Sequence, residues 1–209
     1  MKASTAKLTA TEAERAIYVD YEGNVDRPPT LLGWRDDGRT DGAIIEPIFS
    51  TCEDRWRARG VFVRDHKGLV EDLVTRAEQE DRRIVSWSEH DWRHMMQILA
   101  DEVCQERLCK VYRNAIQTAR PWYRRNHGPL PQAATLHFFL TLFGEEPPDI
   151  FGLEVVGTAL RLLRAQLAEQ RKYPELTPAA RKAWVRVVKH NRLDLAGMEL
   201  VMKRVTEQG

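Results

Sequence analysis

Residues 16–22, Ala-Ile-Tyr-Val-Asp-Tyr-Glu, combine β-branched and aromatic positions with two carboxylates spaced two apart, the pattern of a strand. Residues 30–34 and 43–49 repeat the strand signal on either side of the turn-rich Arg35-Asp36-Asp37-Gly38. Pro47 argues that the third strand lies at an edge or ends early. Helical spacing takes over at 68–82, where Leu69, Leu73, Val74 and Ala77 share a face. A short strand is predicted at 83–87, and a helix at 92–104 with Met95, Met96, Leu99 and Val103 on its apolar side. Another short strand is predicted at 108–112. Helical patterns then cover 133–143, 153–171, 178–189 and 192–206. Thr177-Pro178 is a helix-start signal, and Asn191 is placed to cap the last helix. Residues 1–14 read as a polar, frayed leader and 15–209 as one domain. The order of elements predicts an α/β fold: a mixed β-sheet flanked by α-helices, with a helical C-terminal half.

Composition narrows the class. The chain has 209 residues, 43% hydrophobic and 30% charged, as a globular domain with a real core requires. No apolar run approaches the roughly 20 residues that cross a bilayer. Met1 to Lys7 lacks the apolar stretch of a secretory signal, so no membrane partner and a cytoplasmic setting are expected. Cys52, Cys104 and Cys109 have no zinc-type spacing and read as free thiols. There is no Gly-rich phosphate loop, no nucleophile elbow and no Cys-x-x-Cys pair. The net charge of +1 conceals local clusters. Arg120, Arg124, Arg125 and His127 surround Trp122 and Tyr123, and a second basic stretch covers residues 181–192. The first cluster suits base stacking with phosphate contacts, and equally an ordinary amphipathic surface segment.

The carboxylates carry the sharper chemistry. A strand sends alternate side chains to opposite faces, so Asp20 and Glu22 project to the same side. Two like charges held together repel unless a cation or a proton lies between them. Asp91 falls on the first turn of a helix after a strand end, where open α/β sheets build their sites. Glu89 and His90 are rival ligands there. In Lys189-His190-Asn191-Arg192-Leu193-Asp194, His190 and Asp194 stand four apart, close enough to face one cavity.

This ordered set resembles the DEDD 3′–5′ exonucleases of the ribonuclease H-like fold. Their Asp-x-Glu first motif is matched by Asp20 and Glu22, and their second-motif aspartate by Asp91 in IVSWSEHD. Their late-helix signature is matched in part by HNRLD. NAIQTARPWY and TLHFFLTLFG look like the family's connecting strand and helix, so the resemblance spans residues 16–206. Gly23 stands where the family often has threonine, and Ser88 occupies the region where it often has asparagine. The third motif joins the spacing of one branch to the histidine of the other. The resemblance implies two Mg²⁺ or Mn²⁺ ions held by Asp20, Glu22, Asp91 and Asp194, with His190 orienting or deprotonating the attacking water. The implied substrate is the 3′ end of single-stranded DNA or RNA; apart from the resemblance, the basic-aromatic segment offers Arg120, Trp122, Tyr123, Arg124 and Arg125 as candidate contacts to it. Two other readings share the fold: a catalytically degenerate nucleic-acid-binding or protein-interaction module, and an endonuclease or trimming subunit of a larger complex.

Overall fold

The computed structural model describes residues 5–24, 27–131, 134–146, 153–169 and 171–208. Its first element is a short helix, α1 (Ala10–Arg15), closed by a reciprocal cap: the Glu12 N–H donates to the Thr9 hydroxyl, and the Thr9 N–H to the Glu12 carboxylate. The expected frayed leader is therefore corrected over the described residues. Leu8 is buried and its N–H donates to Thr118 Oγ1 at 2.8 Å. Ala13 is fully buried, and the Tyr18 hydroxyl donates to its carbonyl at 2.6 Å.

Strand β1 (Ile17–Glu22) follows directly. The strands β2 (Leu31–Asp36) and β3 (Arg39–Ile44) are joined by the two-residue turn Asp37-Gly38. Both turn residues have positive φ, 47° and 77°, which suits the twist of a tight hairpin and is easiest for glycine. The third strand thus begins at Arg39 and ends before the predicted 43–49 does, because Pro47 opens a 3-10 turn, Pro47–Cys52. A one-turn helix, α2 (Glu53–Trp56), leads to β4 (Val61–Val63), a three-residue edge strand too short to carry a periodic signal.

Asp65 caps α3 (His66–Gln79), which is followed by β5 (Ile84–Ser86). The helix expected at 92–104 is two helices, α4 (Glu89–Ile98) and α5 (Glu102–Val111). Leu99 leaves helical geometry, and Asp101 restarts the helix by accepting from the Cys104 N–H at 2.8 Å. Leu108 consequently lies in α5, and the strand expected at 108–112 is instead β6 (Tyr112–Asn114). The remaining helices are α6 (Ala115–His127), α7 (Leu136–Leu142), α8 (Leu153–Ala168) and α9 (Pro178–Glu207). The last is one uninterrupted 30-residue helix where two were expected.

The six strands form one mixed sheet in the order β4-β3-β2-β1-β5-β6. The β1–β2 and β2–β3 pairs are antiparallel, and the β3–β4, β1–β5 and β5–β6 pairs are parallel. Helices cover both faces. Ile17, Val19, Tyr21, Leu32 and Ala43 pack with Leu69, Leu73, Trp92 and Met95 from α3 and α4. On the opposite face α9 joins two clusters, Trp184 and Val187 with α8 near one end, and Met198, Val201 and Met202 with α6 and α7 near the other. Arg82, only 4% exposed, ties α1 to the hairpin by pairing with Asp36 and donating to the Arg15 carbonyl. No helix among the described residues is long and apolar enough to cross a membrane. The three cysteines are free thiols.

Candidate metal centre

Asp20 and Glu22 lie on the β1 face that α9 covers. Opposite Asp20 in the antiparallel register stands Gly33, and the Asn191 side chain of α9 fills the space above that glycine. Asn191 is no cap. It sits inside the helix, 2% exposed, and its amide Nδ2 donates to the Asp20 carbonyl at 3.0 Å and to Asp20 Oδ2 at 2.8 Å. The preceding His190 turns Nδ1 toward two carboxylates, Glu22 Oε1 at 2.9 Å and Asp194 Oδ2 at 3.3 Å. One helical turn separates His190 from Asp194, so α9 offers both to the same space.

Asp91 arrives from the other layer. Ser88 caps α4, accepting from the His90 N–H at 3.2 Å and donating its hydroxyl to Asp91 Oδ2 at 2.9 Å. The N–H of Tyr21, between Asp20 and Glu22 in the strand, points at Asp91 Oδ1 at 3.4 Å. A helix start at the carboxyl end of β5 thus carries its first-turn aspartate to the flank of β1, as Asp91's sequence position leads one to expect.

The electrostatics follow from burial and crowding. Burial pushes the Asp20 carboxyl well above the carboxylate range, and Glu22, Asp194 and Asp91 push it further against the Asn191 hydrogen bond. Glu22 is raised by burial and by Asp91, with His190 opposing. Asp91 is raised by burial although Ser88 and Tyr21 stabilise its charge. Asp194 is pushed up to about 7, by burial above all, with His190 opposing and Glu22 and Asp91 adding. For His190, burial favours the neutral ring, but the Glu22 hydrogen bond and the Glu22 and Asp194 charges prevail and raise it.

All four expected carboxylates therefore share one electrostatic neighbourhood, brought together from β1, α4 and α9. The ligand atoms of Glu22, His190 and Asp194 lie within 4.8 Å of one another. Buried acids that raise one another's pKa are a site short of positive charge, and their oxygen-rich donor set suits a hard divalent ion.

The basic-aromatic segment behaves differently. Trp122 is 3% exposed and packs against Phe143 at 5.3 Å between ring centres, so it presents no face to a base. Tyr123 is half-buried and stacks on His127 at 4.9 Å. Arg120, Arg124 and Arg125 are exposed. The segment is an amphipathic helix with its aromatics inward, which corrects the expectation of a stacking platform at Trp122. Trp122 and Arg125 line a cavity of about 250 Å³ with Val205, eleven residues beyond Asp194. That offset is about 16 Å along the α9 axis.

Sequence reading missed the parts played by Asn191, Gly33, Ser88 and Tyr21. One signal was available: the buried positions Trp184, Val187, Asn191, Leu195, Met198 and Met202 run in phase, which marks a single helix through Asn191. Comparison with protein-family models, with curated proteins and with solved structures finds no match to this chain.

Proposed function

We propose that the protein is a metal-dependent 3′–5′ exonuclease with a ribonuclease H-like fold, hydrolysing phosphodiester bonds of single-stranded DNA or RNA. One observation carries the reading: Asp20 and Glu22, Asp91, and Asp194, from three distant stretches of the chain and in the order of the DEDD motifs, converge with His190 at one flank of the central strand. The antiparallel meander followed by parallel strands, with helices on both faces, supports the same fold.

Asp20, Glu22, Asp91 and Asp194 would hold Mg²⁺ or Mn²⁺. Two such ions would supply the charge that makes water a nucleophile at neutral pH and stabilises the leaving oxygen. The chain's own residues arrange this. Asn191 fixes the rotamer of Asp20 from above. Ser88 and the Tyr21 N–H fix Asp91. His190, its Nδ1 engaged by Glu22 and Asp194, is a positioning residue that spaces these two carboxylates. The role expected from the sequence, orienting or deprotonating the attacking water, would fall to the other ring nitrogen, Nε2, because the two carboxylates engage Nδ1.

The test is incubation of end-labelled single strands with the protein in Mg²⁺ or Mn²⁺. Mononucleotides should leave from the 3′ end, a circular single strand should resist, and Asp20→Ala should abolish release. Wild-type activity in Asp20→Ala overturns the proposal, as does absence of turnover with either ion. Binding that persists in chelator without turnover would point to a nucleic-acid-binding module instead.

A further inference from the structure

On the opposite side of β1, two imidazoles, His66 and His94, pack against Tyr21, and a third, His90, packs against His94. His90 and His94 occupy successive turns of α4, with their Nε2 atoms 2.9 Å apart. Their rings stand 4.3 Å apart and nearly perpendicular, at 82°. The Tyr21 ring lies 5.4 Å from His94 and also 5.4 Å from His66, and its hydroxyl is 2.7 Å from His66 Nε2. The centre proposed above takes no ligand from these rings.

Two imidazoles that aim Nε2 at each other are satisfied in two ways. One proton can sit between them, or both lone pairs can point at a cation. Nitrogens bound at right angles to one ion, with bonds of roughly 2.0–2.1 Å, stand about 2.9 Å apart. The observed separation matches that bite. Histidines at i and i+4 on one helix face are also the spacing by which helices chelate zinc. His90 is exposed, so an ion can enter from solvent, while the half-buried His94 is braced by Tyr21.

We propose that His90 and His94 form a second metal site for late first-row divalent ions that take ligands at right angles, Ni²⁺ and Cu²⁺, with His66 as the neighbouring imidazole. Imidazole nitrogen favours these ions, whereas Mg²⁺ prefers oxygen and keeps its water. The site stands on its own geometry and does not require the nuclease reading.

Calorimetric titration of the full chain, free of any affinity tag, with Ni²⁺ in excess Mg²⁺ tests it. Mg²⁺ keeps the acidic centre out of the measurement, and Asp194→Asn and Cys104→Ser control for the two carboxylate-containing clusters, Glu22-His190-Asp194 and Glu71-Asp101-Cys104. The expected result is one Ni²⁺ per chain, retained in both controls and weakened roughly tenfold or more by His94→Ala and by His90→Ala. His90 is exposed, so His90→Ala tests the site even if His94→Ala disturbs packing. Binding unchanged in the His90 variant, binding lost in either control, or no binding by the wild-type chain would overturn the proposal.

Discussion

The amide of Asn191 occupies the space that a side chain at position 33 would need: a Cβ on Gly33 would stand 1.8 Å from Asn191 Oδ1. Gly33 faces Asp20 across the β1–β2 ladder, and Asn191 donates to Asp20 twice. A missing side chain on one strand therefore lets α9 settle close enough to orient a carboxylate on the next. Gly33→Ala should force the helix outward and cost about 1–3 kcal/mol, the usual cost of overpacking. Asn191→Ala removes the hydrogen bonds without the clash and should cost about 1 kcal/mol. Both should weaken cation-dependent stabilisation. Denaturant unfolding with and without Mg²⁺ measures each, and a Gly33→Ala protein as stable as wild type would contradict the packing described.

Trp122 and its arginine neighbours should separate cleanly. Trp122 fills the core between α6, α7 and α9, so Trp122→Ala should destabilise by about 3–5 kcal/mol. The exposed Arg124 and Arg125 should change stability by no more than about 0.5 kcal/mol when replaced by alanine. If they meet a phosphate backbone, the salt dependence of single-strand binding should fall by roughly one per arginine removed. Fluorescence anisotropy over a salt series reads this directly. An unchanged slope would place the strand's path away from α6.

What the sequence made legible was whatever depends on a local period. The apolar run before Asp20 and the two-residue repeat to Glu22 identified β1 and the shared direction of its carboxylates. The strand-to-helix transition before Asp91 was equally local. Asn191 was misread because asparagine after a basic helical stretch resembles a cap, and its true partner lies 171 residues away. The break between α4 and α5 carries neither glycine nor proline at Leu99-Ala100-Asp101, so periodicity ran through it. At Trp122 the basic neighbours left two readings open, a stacking platform or an amphipathic segment, and its burial decides for the second. At Asn191 a contact made by a distant strand decided its role, whereas the break at Leu99–Asp101 was made locally by the Asp101 cap.

Arg82 should be among the most sensitive positions outside the candidate centre. Its guanidinium is 4% exposed and holds Asp36, Asp37, Glu80 and the Arg15 carbonyl together. Removing one side of a buried pair leaves the other charge without compensation, at a cost of about 3–5 kcal/mol. Arg82→Ala should show this loss in urea unfolding, whereas Asp81→Asn, which removes an exposed charge paired with Arg83 but keeps a residue suited to the left-handed φ of 46° there, should change little. Equal effects of the two would show that Arg82 does not knit α1 to the hairpin.

The crowded acids also set how stability responds to pH. Asp194 rises from 3.8 to about 7, and Asp20, Glu22 and Asp91 are raised as well. An acid with a raised folded pKa holds its proton longer in the folded chain, so its contribution is present at low pH and lost as pH climbs through the window from about 4 to 7. His190, raised from 6.5, acts in the same direction: its contribution is full below 6.5 and lost as pH passes its folded value. Glu12 and Glu199 are held low and act oppositely, but their gain is complete above the ordinary carboxylate range. His66, lowered by burial to about 4, and His94, also lowered, gain stability as pH rises and complete that gain by about pH 6.5, so in chelator the melting temperature should fall chiefly between about pH 6.5 and 8. If the centre holds Mg²⁺ as proposed, the ion would favour the ionised carboxylates and should reverse the fall, adding about 2.7 kcal/mol at a hundredfold excess over its Kd, or about 5–10 °C for a chain of this size. Asp194→Asn should flatten the slope and shrink the Mg²⁺ response together. A melting temperature that rises over that range in chelator, or one indifferent to Asp194→Asn, would mean that these carboxylates do not crowd one another in solution.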